Sequence, residues 1–82
     1  MDRATILDGV LDAVAEAYAV DKSTLSESTE YKALGNYSSS KVLKTGLFIG
    51  ENLDLEDDLG YDDLADQATI GDTVDMLAKR LA

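Results

Sequence analysis

The chain contains neither cysteine nor histidine. Without cysteine there is no thiol nucleophile, no disulfide framework and no thiolate to hold zinc. Without histidine no imidazole shuttles protons near neutral pH, and a Ser-His-Asp triad cannot be assembled. Basic residues are scarce: 7 Lys and Arg stand against 17 Asp and Glu, for a net charge of −10. Such a chain repels phosphate backbones and anionic lipid surfaces, which argues against nucleic-acid and membrane partners and for proteins with basic patches. No run approaches the roughly 18 apolar residues of a membrane helix. Proline is absent, and there is no repeat or low-complexity linker. Carboxylate-only catalysis stays open, but 82 residues leave little room for an enclosed pocket, and no carboxylate pair stands at acid–base spacing. The chain reads as a non-enzyme.

What is present is enough for one domain over residues 1–82, with 45% hydrophobic residues. The opening Met1-Asp2-Arg3-Ala4 lacks the basic head and apolar run of a secretion signal, so the expected compartment is the cytoplasm. From Arg3 to Val20, Ile6, Leu7, Val10, Leu11, Val14, Ala17 and Tyr18 recur at helical spacing, opposite Asp8, Asp12 and Glu16. The polar stretch 21–30 has no such stripe and predicts a long connection, with Leu25 and Tyr31 as its anchors in the core. Gly35 predicts a turn with positive φ before a second helix.

That helix should begin near Ser38, with one of three consecutive serines as its cap. Val42, Leu43, Leu47, Phe48 and Ile49 supply its apolar positions. Gly46 costs it about 1 kcal/mol relative to alanine, and Gly50 is the expected end. Residues 51–75 hold ten acidic residues and no basic ones, with leucines enough for a loop and one short helix near Asp62–Asp66. The last helix is marked by Ile70, Val74, Leu77 and Leu81. Thr69 and Asp72 form a capping-box start, and Lys79 and Arg80 suit its negative end. The fold class is therefore all-α: a small four-helix bundle of three longer helices and one short, with a long loop between the first two.

Tyr31-Lys32-Ala33-Leu34-Gly35-Asn36-Tyr37-Ser38, followed by Val42, resembles the attachment region of the acyl and peptidyl carrier protein family. There an apolar residue, two variable residues, Leu-Gly and two further residues precede a modified serine, and an apolar residue follows four positions later. Thr69 to Leu77 likewise resembles the start of the family's last helix, and the likeness of plan covers nearly the whole chain. Tyr37 stands where the family usually has Asp, and Ser39 where it usually has Leu or Ile. The stretch between the second and last helices is a few residues longer than usual.

The resemblance implies an acyl-carrier type of bundle with 4'-phosphopantetheine, taken from coenzyme A, attached covalently to Ser38. Acyl or aminoacyl groups would ride on that arm as thioesters, for fatty acid, polyketide or nonribosomal peptide biosynthesis. It also implies a phosphopantetheinyl transferase and loading and processing enzymes as partners. No second exposed apolar stripe is evident, so a monomer is expected. A register one residue later would make Ser39 the site, but Val42 fits the spacing from Ser38 only. Apart from the resemblance, a serine at a helix N-terminus sits where free N–H groups and the positive dipole end favour a phosphodiester.

Residues 31–50 carry Lys32, Lys41 and Lys44 and no acid, whereas the family's second helix is usually acidic. Tyr37, Ser39, Lys41 and Lys44 are thus candidate docking residues for specialised partners. The acidic run Asp54–Gly60 does not make a calcium loop. With Asp54 first, Leu59 and Ala65 fall where glycine and glutamate are required. No metal site is expected. The competing reading, favoured by Tyr37 and Ser39, is an unmodified acidic helical adaptor.

Overall fold

The computed structural model describes residues 1–57 and 59–81, so Asp58 of the acidic run lies outside the described residues. Among those residues the structure is all-α, with four α-helices and no strand: α1 (Arg3–Tyr18), α2 (Ser39–Leu53), α3 (Tyr61–Ala65) and α4 (Ile70–Arg80). Two short 3-10 turns, Lys22–Thr24 and Tyr31–Leu34, lie in the long connection between α1 and α2. None of the described helices is long and apolar enough to cross a membrane.

Helix α1 starts on Asp2, whose Oδ1 accepts from the Thr5 amide at 2.8 Å. It buries Ile6, Gly9, Val10, Ala13, Val14, Ala17 and Tyr18, while Leu7 and Leu11 lie at the edge of the core. Ala19 turns left-handed (φ 55), and the Val20 amide donates to Ala15 O at 3.0 Å. That bond closes the last turn and stops the helix two residues before the expected Val20.

The expected end of the second helix at Gly50 is wrong. α2 runs on to Leu53 and closes with left-handed Asp54 (φ 52) and a bond from the Leu55 amide to Gly50 O at 3.0 Å. Packing overrides the glycine. Gly9 of α1 has no side chain, so Leu53 fills the space a Cβ there would take, and Asn52 Nδ2 donates to Gly9 O at 3.0 Å. The stripe α2 buries is Val42, Thr45, Gly46, Ile49, Gly50 and Leu53. Leu43 and Leu47, expected among its apolar positions, are about half exposed (54% and 50%), and Phe48 only borders the core. At 100° per residue they fall off the face that Val42 and Ile49 define.

Helix α1 packs against α2 and α4, and α3 packs against α2. Leu59 and Leu64 are buried, and a Cβ on Gly46 would lie 3.0 Å from Leu59 O and 3.1 Å from Leu64 Cδ1. The capping box at α4 is present: Thr69 Oγ1 accepts from the Asp72 amide, and Asp72 Oδ2 accepts from the Thr69 amide. Arg80 reaches back to Asp63 Oδ1 at 2.9 Å, tying α4 to α3.

The long connection is bound to α4 through its backbone. The amides of Ile70 and Gly71 donate to Thr29 O (3.0 Å) and Glu27 O (2.8 Å), and the Tyr31 amide donates to Ala68 O (3.1 Å). Leu25 and Tyr31 are buried, as the sequence predicts for its two anchors. The Tyr31 phenol meets Thr73 Oγ1 at 2.6 Å inside the core. Arg3 adds exposed ion pairs to Glu27 and to Asp75, joining α1, the connection and α4.

Burial pushes the Tyr31 hydroxyl up to about 12, against the pull of its hydrogen bond to Thr73, and burial likewise pushes Tyr18 up to about 12. Both shifts penalise the phenolate in the folded state. Stability is therefore fully present below the unfolded tyrosine value of 10.0 and is lost as pH rises from there toward about 12. Tyr31→Phe should cost about 1–2 kcal/mol at neutral pH, for a lost buried hydrogen bond. It should also flatten the alkaline decline, which urea unfolding at a series of pH values would show.

Candidate functional site

The chain enters α2 through a tight turn. Gly35 has φ 74, as the sequence predicts, and Asn36 follows at φ 54. Glycine adopts that region freely, and asparagine tolerates it better than most residues. Two successive residues with positive φ bend the chain here; Tyr37 leans on the core while Ser38 stands out in solvent.

Ser38 is the N-cap of α2, in extended backbone (φ −159, ψ 165). Its Oγ accepts from the Lys41 amide at 3.2 Å, and its carbonyl takes the first helical bond, from Val42, at 3.0 Å. The hydroxyl proton is not used in that cap. Ser39 and Ser40 are exposed, and their amides, the first two of α2, are end donors without a partner in the preceding turn. Val42, four residues on, is buried beneath.

The candidate docking residues separate. Tyr37, Ser38 and Ser39 are contiguous, and Lys44 is exposed on α2. Lys41 turns away: its Nζ donates to Ala17 O at 3.1 Å, at the C-terminal end of α1, where a cation meets the negative end of the helix. Its part is to tie α1 to α2. Sequence reasoning missed the outward pair Leu43 and Leu47, one turn apart beside Lys44. The signal was available in their angular offset from Val42 and Ile49. The expectation that no exposed apolar stripe exists is corrected by this pair.

Behind Tyr37 lies a cavity of about 10 Å³, lined by Tyr18, Tyr31, Tyr37, Val42, Thr45 and Leu64. The Thr45 hydroxyl donates to Lys41 O at 2.8 Å, and the Tyr18 and Tyr31 rings stack with centroids 6.5 Å apart. Tyr31 and Tyr37 also line a groove of about 540 Å³, bounded by residues 30–32 and 65–68. Among the described residues no three carboxylates converge as a metal site would need. What the arrangement offers chemically is the exposed hydroxyl of Ser38 at a helix N-terminus, beside those of Ser39 and Ser40. The segment that carries it, residues 31–50, has lysines and no acid in an otherwise acidic chain. Comparison with protein-family models, curated proteins and solved structures finds no match for the chain.

Ser38→Ala removes the acceptor for the Lys41 amide and should destabilise the protein by about 1 kcal/mol. Ser38→Asp keeps an acceptor and places negative charge at the positive helix end, so it should retain stability close to the parent. Thermal or urea unfolding of the two variants checks the difference.

Proposed function

We propose that this chain is a carrier protein of the acyl or peptidyl carrier type, its bundle the family's four-helix plan and Ser38 the attachment point for a phosphopantetheine arm. The observation that carries the reading is the exposed Ser38 hydroxyl at the N-terminus of α2, three residues after Gly35 and set by the Gly35–Asn36 turn. A phosphodiester fits there. Its anionic oxygens would lie near the free amides of Ser39 and Ser40 and the positive end of α2, with no carboxylate in residues 31–50 to oppose it.

In the attachment step Ser38 Oγ attacks the coenzyme A phosphorus nearer pantetheine. The bond to the adenosine half breaks, adenosine bisphosphate leaves, and the hydroxyl proton passes to a base of the transferase. The bound arm supplies a thiol, on which acyl or aminoacyl groups are held as thioesters. The protein itself holds and presents the cargo, and the chemistry belongs to partners in a specialised biosynthetic pathway. Dependence on coenzyme A fits a cytoplasmic location. Loading and processing enzymes would meet the outward face of α2, where Lys44 lies beside Leu43 and Leu47, so their docking surfaces should be apolar with acidic rims.

The same exposed leucines favour a second reading, an unmodified adaptor that binds a partner through α2 without any arm. Intact mass after incubation with coenzyme A and a broad-specificity phosphopantetheinyl transferase separates the two. The carrier reading predicts the gain of one phosphopantetheine, absent in both Ser38→Ala and the cap-preserving Ser38→Asp. A folded protein that gains nothing with several transferases would sink it and leave the adaptor.

A further inference from the structure

Tyr31 and Tyr37 both line two spaces of very different size, the cavity of about 10 Å³ and the groove of about 540 Å³. The inner space holds about one water. Its walls are Val42, Leu64 and Thr45 with the stacked rings of Tyr18 and Tyr31, and Tyr31 is further held by its bond to Thr73. An alkyl chain enters only if this packing opens. The groove, in contrast, is within the size range of small-ligand sites.

Resting on the carrier reading, we propose that the groove between residues 30–32 and 65–68 holds the arm and its cargo, and that the cargo is a small polar one of the aminoacyl class. Tyr37 lines the groove and is joined by a peptide bond to Ser38, so an arm on Ser38 begins at the groove's edge. The rim carries Glu30, Lys32, Asp66 and Gln67. Gln67 spends its Nε2 on Asp63 O at 3.1 Å, which leaves its Oε1 to accept from the arm's amides. The two carboxylates of Glu30 and Asp66 outnumber the one ammonium of Lys32 on this rim, which favours an α-ammonium, and an alkyl chain gains little from it. Because the arm is tethered, its effective concentration is in the millimolar range, so a groove of weak intrinsic affinity is still occupied.

The test is a map of amide chemical shifts in the labelled protein with Ser38 bearing the arm alone, the arm with alanine joined through a stable amide, or the arm with octanoate joined likewise. The alanyl form should shift the amides of Lys32, Gln67 and Ala68 several-fold beyond the spread seen over α1. Val42, Thr45 and Leu64 should stay in place, and the octanoyl form should shift the groove less. Ala68→Phe, at an exposed position inside the groove, should abolish these shifts while the mass gain at Ser38 persists. Shifts at Val42, Thr45 and Leu64, or shifts confined to residues 37–41, would overturn the proposal. So would groove shifts that survive Ala68→Phe. A chain that takes no arm at all fails earlier, at the carrier reading, and the groove's role falls with it.

Discussion

The first turn of α4 has N–H groups that no helical carbonyl can satisfy, and the long connection between α1 and α2 exists in its observed path because it satisfies them. Ile70 donates to Thr29 and Gly71 to Glu27, while Thr69 and Asp72 cap one another. Each of these amides lies where leaving it unbonded and away from water would cost a large share of a marginal stability. Gly71 is needed for the approach. A Cβ there would lie 2.9 Å from the Glu27 carbonyl oxygen that accepts its own amide. A polar segment with little to bury is thus held by backbone bonds to a helix end, supplemented by Leu25 and the Tyr31–Thr73 pair.

The consequence for Ser38 is positional. Tyr31 is fixed to α4 by its amide and by its hydroxyl, and only six residues separate it from Ser38. Within them a 3-10 turn and the positive-φ residues Gly35 and Asn36 leave the chain little freedom. The two helix N-termini also differ. At α4 the connection covers the end donors, whereas at α2 the Ser38 cap takes Lys41 and leaves Ser39 and Ser40 facing outward. An anion would find the second end open and the first closed.

Much of this was legible in the sequence, because it rests on local rules. The stripe of α1, the capping box at Thr69, the positive φ at Gly35 and the burial of Leu25 and Tyr31 each follow from a residue type at a spacing. What was not legible depends on long-range contacts. Gly50 ends a helix by propensity, yet α2 continues because Leu53 has a place against Gly9. Lys41 looked like a surface charge, and only the nearness of Ala17 O makes it a tie between helices. Leucine in a helix predicts core for Leu43 and Leu47, and both face outward. The buried stripe is instead filled by Thr45, Gly46 and Gly50, residues that hydrophobicity alone would not choose.

Native-state hydrogen exchange at the amides of Tyr31, Ile70 and Gly71 tests most directly whether the connection is a fixed part of the fold that sets Ser38. If the bonds to Ala68, Thr29 and Glu27 hold it, these three amides exchange only through global opening, at the free energy measured for Val14 in the core of α1. Exchange at the rate of a solvated loop, while Val14 remains protected, would mean that the connection is loose and that Ser38 is not placed by it.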